Sequence, residues 1–184
     1  MELVYTYTTP KKRGNSMGKK VYVECELEWT KLRPEDRDMG PRDGSDMAKN
    51  MEAKDGVYVV NCLIDQDAKA KMIADGIPNK GLQAQLFKTN KEGREFYKAT
   101  RPHVNPKFKN NETGEMGVVT GPPEMLKQVD GEYVKWDWDT DGLVGNGSKA
   151  TVKFDVWDGK ITTMEKVLIN ELVTYEANGE GDAF

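Results

Sequence analysis

Polar and apolar residues alternate most cleanly over Lys19–Trp29. Val21, Val23, Cys25, Leu27 and Trp29 fall on one side, and Tyr22, Glu24, Glu26 and Glu28 on the other. A two-residue period predicts a half-buried β-strand, with Trp29 among its core positions. The same period returns in Ser148–Trp157, where Ala150, Val152, Phe154 and Val156 point inward and Thr151, Lys153, Asp155 and Trp157 point outward. Gly56–Ile64 is nearly continuous apolar, as in a strand covered on both faces. One short helix follows: Asp65 is its N-cap, Ala68, Met72 and Ile73 are its apolar stripe, and Gly76 with Pro78 ends it. Met164, Leu168, Leu172 and Tyr175 keep helical spacing, but the β-branched Val167, Ile169, Val173 and Thr174 turn Thr163–Tyr175 into a strand prediction.

Between these elements the pattern is weaker. Leu82, Ala84 and Leu86 alternate with Gln83, Gln85 and Phe87, Asn90–Gly93 carries turn chemistry, and Glu95–Thr100 can return as a partner strand. This predicts a hairpin that runs into a long basic loop ending at Lys109. Alternation alone leaves its register open, since a one-residue slip exchanges Phe96 and Tyr97. Leu3–Thr8, Met116–Val119 and Gly131–Trp138 add shorter strands, the last with Trp136 and Trp138 on one face. Residues 32–54 carry Pro34, Gly40, Pro41 and Gly44 among many charges and no hydrophobic period, which predicts a long loop of disorder-like composition. The sum is a mainly β chain of about seven or eight strands and one short helix. An antiparallel barrel or sandwich fits, and the OB-fold, a five-stranded Greek-key β-barrel, here with extra strands, is one such pattern.

At 184 residues the expectation is one domain over 1–175, followed by a flexible acidic tail over 176–184. The net charge of −4 argues against a nucleic-acid binder only if the charge is evenly spread. It is not: Glu176, Glu180 and Asp182 crowd the tail, which holds no base and ends on Phe184. Two cysteines in strand-like runs predict buried reduced thiols. No apolar run reaches membrane-spanning length, and the N-terminus lacks a signal-peptide layout, so the expected compartment is the cytoplasm.

Several motifs lose to plainer readings. Asp137, Asp139, Asp141 and Gly142 match the first half of a calcium loop, but Ser148 stands where a bidentate glutamate is needed, and an acidic turn is the better reading. A calcium-dependent β-domain stays as a third functional hypothesis on these residues. Gly142–Lys149 has the glycine spacing of a phosphate loop but ends Ser-Lys and leads into a strand. His103, the only histidine, has no cysteine nearby to make a zinc site. No catalytic constellation, cofactor motif or metal site emerges, so the expectation is a protein that is not an enzyme.

The remaining signal is basic and aromatic. Lys88, Lys91, Arg94, Lys98, Arg101, Lys107 and Lys109 are opposed locally by only Glu92 and Glu95, with Phe87, Phe96, Tyr97 and Phe108 interleaved. Cations for phosphates beside aromatic planes for bases are what sequence-tolerant single-strand binding requires. The candidate DNA-binding residues are Arg94, Lys98, Arg101, Lys107, Lys109, Lys149 and Lys153 for phosphates and Tyr97, Phe108 and Trp157 for stacking.

Gly56–Val60 before the helix, Phe96-Tyr97-Lys98, Gly145–Lys149 leading into Val152-Lys153-Phe154, the strand Val167–Tyr175 and the terminal Glu180-Gly181-Asp182-Ala183-Phe184 occur in an order that resembles the single-stranded DNA-binding proteins of tailed bacteriophages. The resemblance spans roughly 56–184 and implies an OB-fold, sequence-independent binding of single-stranded DNA, and roles in phage DNA replication, recombination and repair in the infected host cytoplasm. It also implies homodimers and a tail (Glu180, Asp182, Phe184) that contacts the replication polymerase and helicase-primase. The tail here is shorter and less acidic than the family's, and residues 32–54 have no counterpart. The alternative is a phage structural or protein-interaction β-domain whose tail is a peptide ligand.

Overall fold

The computed structural model describes residues 18–175. The strand expected at Leu3–Thr8 and the tail residues Glu180, Asp182 and Phe184 lie outside them. The strands in chain order are β1 (Lys19–Lys31), β2 (Val57–Leu63), β3 (Phe87–Thr89), β4 (Glu95–Pro102), β5 (Val104–Lys109), β6 (Met116–Val119), β7 (Glu124–Val129), β8 (Glu132–Lys135), β9 (Leu143–Val144), β10 (Lys149–Trp157), β11 (Ile161–Glu171) and β12 (Thr174–Tyr175). The helices are α1 (Asp46–Ala53), α2 (Gln66–Asp75) and the short α3 (Trp138–Asp141).

Eight strands form one open sheet in the order β3-β4-β2-β1-β10-β11-β7-β8, and β5–β6 and β9–β12 form two small ribbons. Every neighbouring pair in the large sheet is antiparallel except β11 and β7. The alternation seen in the sequence holds: Val21, Val23 and Leu27 of β1 and Ala150, Val152, Phe154 and Val156 of β10 are all buried. They meet Tyr58, Val60 and Cys62 of β2 and Tyr97 and Ala99 of β4 in one core. Tyr97 reaches Phe154 edge-on, with ring centroids 5.5 Å apart, although β2 and β1 lie between their strands. Side chains can meet across two intervening strands only if the sheet curls over its own apolar face. Arg101 of β4 also reaches β11 on the far side, donating to the Met164 carbonyl at 3.3 Å.

α2 forms as its caps predict. The Asp65 carboxylate accepts the Ala68 N–H at 2.7 Å, and Gly76, at φ +124°, takes the backbone where a side chain is strained. The Cys62 thiol is driven up by its contact with Cys25 and by burial, and both cysteines are free.

Four sequence expectations are corrected. Residues 32–54 are not a structureless loop: they hold a 3-10 turn (Pro34–Asp36) and α1, whose Ala48 N–H donates to the Ser45 hydroxyl at 3.2 Å. α1 buries none of its residues fully, and its apolar stripe is only Met47, Ala48 and Met51, too short to stand out among the surrounding charges, glycines and prolines. Gly81–Leu86 is a 3-10 helix, not a strand, and the hairpin strand begins only at Phe87. The basic loop before Lys109 is β5, paired with β6. The strand expected over Gly131–Trp138 stops at Lys135, because the Asp137 carboxylate caps α3 by accepting the Asp139 and Thr140 N–H groups.

Phe154→Ala is expected to lose about 3–5 kcal/mol, a buried aromatic at the point where the curled sheet meets itself, read as a drop in the urea midpoint. His103, whose Nδ1 lies 2.6 Å from the Tyr58 hydroxyl, has its pKa lowered by burial and then by Arg37. The folded state therefore binds a proton less readily than the unfolded chain. Stability is full above the ordinary value of 6.5 and falls as pH drops toward the lowered one. Urea midpoints measured down that range should decline, and His103→Gln should flatten the decline.

Candidate nucleic-acid interface

With Tyr97 turned inward, the β-alternation of β4 sends Phe96 and Lys98 outward. Beside them on β2 are Val59 and Asn61, paired with Thr100 and Lys98. Lys88 of β3 faces Phe96 across the next ladder. β1 contributes Trp29 and Lys31. Together with Asp38 these residues line an open cleft of about 260 Å³ on the outer side of β1, β2, β3 and β4.

Trp29 reaches this cleft because β1 breaks its alternation. Glu28 pairs with Asn61 and Lys31 with Val59, so three steps on β1 match two on β2. The extra residue is a β-bulge, and Trp29 sits in it at φ +52°. Its N–H donates to the Asn146 Oδ1 at 2.8 Å, and its indole is 66% exposed. Positive φ is a strained conformation for a bulky residue, so the bulge holds a large apolar side chain in water at a conformational cost. Among the described residues, Lys31, Lys88 and Lys98 form no ion pair. The face therefore presents two aromatic rings and three cations, with Asp38 the one carboxylate in its lining, where it accepts the Gly40 N–H at 3.0 Å and pairs with none of the three lysines.

The residues expected to line one groove are divided among three places. Lys98 belongs to the cleft just described. Lys153 and Trp157 lie on the outer side of β10. There Lys153 stands 3.4 Å from Glu165 and over the Tyr22 ring, within a network that also ties Lys20 to Asp155 and Glu165. Burial opposes the charge on both Lys20 and Glu165, yet ion pairing wins: Asp155 and then Glu165 raise the lysine, and Lys20 and then Lys153 lower the glutamate. Lys153 is thus already neutralised, while Trp157 is 40% exposed. Lys149 lies near Glu171 at 3.9 Å and Arg94 near Glu26 at 3.5 Å, both exposed.

The third place is the β5–β6 ribbon, which carries exposed Lys107, Phe108 and Lys109. Burial and then the proximity of Lys107 lower the pKa of Lys54, the C-cap of α1. No hydrogen bond or ion pair among the described residues joins one place to another.

Two expected site residues are corrected outright. Tyr97 is 1% exposed, packed edge-on between Phe87 and Phe154, and burial pushes its phenol up to about 12. It cannot offer a face to a base. Arg101 is not a phosphate ligand, because its guanidinium donates to the carbonyls of Gly121 and Thr120 at 2.8 Å each and to Met164. It ties β4 to the β6–β7 connection and to β11. Trp29, Lys31, Lys88, Asn61 and Phe96 were missing from the expected set. The signal for Phe96 was present, since the apolar run of β2 must share a core with one face of β4; the bulge at Trp29 leaves no such trace.

The acidic run of α3 forms a capped turn. Asp141 accepts the Asp137 N–H at 2.8 Å and pairs with Lys127 at 2.6 Å, which together hold its carboxyl below the usual range. Among the described residues no group of three or more His, Cys, Asp or Glu side chains is placed to hold a metal ion. No helix among them is long and apolar enough to cross a membrane. No protein-family model and no curated protein matches the sequence.

Arg101→Ala should cost about 1.5–3 kcal/mol of stability, the range for hydrogen bonds to a charged group, measured by chemical denaturation. Trp29→Gly should cost none, because glycine accepts the positive φ that strains tryptophan. A large loss at Trp29 would mean that the indole serves the fold.

Proposed function

We propose that the protein is a non-enzymatic, sequence-independent single-stranded DNA-binding protein built on an OB-type barrel. The observation that carries this reading is the Trp29–Phe96 face with Lys31, Lys88 and Lys98, which form no ion pair among the described residues. Aromatic planes beside cations that lack carboxylate partners suit a strand of stacked bases and phosphates. The strand order supports the fold reading. β1 pairs with β2 and β10, β2 with β4, and β10 with β11, while β4 and β11 approach each other through Arg101. Taken as the five barrel strands, these place the cationic face on the second and third, the surface with which OB-folds bind oligonucleotides. The segment 32–56 and the β10–β11 turn then take the positions of the two flanking binding loops. One feature departs from the expected pattern: α2 lies between the second and third of these strands, not between the third and fourth.

The resemblance to tailed-phage single-stranded DNA-binding proteins extends the reading to phage replication, recombination and repair in the host cytoplasm. Glu180, Asp182 and Phe184 would then contact the replication polymerase and helicase-primase, and a homodimer would be the working form. The rival, a β-domain that binds protein, draws on exposed Phe108, Met116 and Val119 of the β5–β6 ribbon.

Titration with oligo-dT should quench tryptophan fluorescence, with affinity falling steeply as salt rises and duplex DNA binding far more weakly. Phe96→Ala should weaken binding by about 1–3 kcal/mol, one stacked base. Lys98→Glu should weaken it and flatten the salt dependence, whereas Lys153→Ala should do little. Salt-independent binding, or none, would overturn the reading in favour of the rival.

A further inference from the structure

A second cleft opens on the other side of Trp29. It measures about 450 Å³ and is lined by Trp29, Arg33, Trp138, Leu143, Asn146 and Val173, among others. We propose that this cleft is a subsite for one nucleobase of a strand lying on the cationic face, an inference that rests on the single-strand reading above.

The two indoles line the cleft without pairing with each other. Trp138 is held from behind by Trp136, edge-on at 6.4 Å, and Trp136 is itself fixed by donating its Nε1–H to the Gly142 carbonyl at 3.0 Å. An indole held in place at Trp138 and the exposed indole of Trp29 lining the same cleft suit a flat aromatic ligand. The volume lies within the range of about 300–1,000 Å³ typical of small-ligand sites. The lining is apolar along Leu143, Val144 and Val173 and polar at Asn146 and Thr30, the mixture a base needs for its face and its edge. The Asn146 Oδ1 is engaged by the Trp29 N–H, and its amide nitrogen has no partner among the described residues, which leaves a donor for a base-edge acceptor.

The occupant follows from what joins the two clefts. Trp29 and Lys31 line both. A strand stacked on Phe96 and Trp29 passes Lys31, a cation without an ion-pair partner among the described residues, before its next base reaches the space beside Trp138. The one carboxylate in the second lining, Asp36, is taken by the Arg33 guanidinium at 2.7 Å and 3.0 Å, so it does not repel a phosphate as a bare acid would. The strain at Trp29 is consistent with the same role. A straight strand would send this indole into the core beside Leu27; the bulge stands it between two open clefts, where both of its faces are usable.

The test uses the full chain in two measurements. Trp138→Ala should bind oligo-dT about 5- to 100-fold more weakly, the loss of one stacked base, with the slope of affinity against salt unchanged. Lys98→Ala should instead lower that slope. Separately, the unmodified protein should photo-cross-link to an oligonucleotide carrying 5-iododeoxyuridine, with Trp138 among the modified residues. If oligo-dT binds the native protein but Trp138→Ala matches it and cross-links fall only on other aromatics, the subsite is wrong and the single-strand reading stands. If the native protein does not bind oligo-dT, both fall. Where the variant is weakened through misfolding, the cross-link on the native protein decides.

Discussion

The edge-on meeting of Tyr97 with Phe154 is the contact on which the rest of the molecule depends. The two side chains come from strands separated by β2 and β1, so the sheet must curl to join them. Side chains on a strand alternate strictly, so burying Tyr97 leaves Phe96 and Lys98 no choice but the outer surface. The same contact aligns β4 with β11, where Arg101 crosses to the Met164 carbonyl and binds the β6–β7 connection through Thr120 and Gly121. The cationic outer face and the apolar core are thus two consequences of one register. A slip by a single residue would exchange them, hiding the cation and exposing the phenol.

The outer surface also depends on a deliberate break in that rule. β1 serves two neighbours in turn, pairing with β10 through Glu26 and with β2 beyond it. Strong right-handed twist accumulates where a strand passes from one partner to another, and a bulge is the usual way to accommodate it. Here the bulge does more than relieve twist. It turns Trp29 from the inward side, which Val21, Val23 and Leu27 share, to a crest between two clefts. Backbone strain of this kind survives only where surroundings over-determine it, and the Asn146 side chain, arriving from the β9–β10 turn, supplies the hydrogen bond that does so.

The long buried strands and the capped helix were legible because their physics is local. Alternation in β1 and β10, the apolar run of β2, and the Asp65 and Gly76 caps of α2 each need no distant partner to be recognised. α1 was not legible, because a stripe of only Met47, Ala48 and Met51, set among glycines, prolines and charges, is too short to mark a helix. Leu82 shows the converse. It is 78% exposed, so its alternation with Leu86 was a coincidence of composition and not a record of burial. The candidate site was half legible. Basic and aromatic residues in Leu82–Lys109 include Lys88, Phe96 and Lys98, which the fold gathers into one cleft, and of these the expected set named Lys98. It also named Tyr97 and Arg101, whose roles depend on a long-range fold that no local pattern encodes. Trp29 stayed hidden for the same reason: a bulge is a property of two strands and cannot be seen in one.

The net charge of −4 is compatible with an anionic ligand once the geometry of the acids is considered. On β1, Tyr22 pairs with Lys153 at one end and the Trp29 cleft lies at the other, with Glu24, Glu26 and Glu28 between them. Screening at physiological ionic strength limits the reach of exposed charges to about 8 Å. A phosphate near Lys31, Lys88 or Lys98 therefore responds to those lysines more than to the total. The glutamates act locally in the same way. They would repel a strand from the middle of β1, and among the described residues Arg94 is the one that forms an ion pair with them, at Glu26. Lys153 and Lys20, absorbed by Asp155 and Glu165, offer no competing track beyond that barrier. On the proposed reading, the acids that lower the overall charge would confine a bound strand to the β2–β4 side, where exposed Trp29 and half-buried Phe96 stand beside lysines that form no ion pair among the described residues.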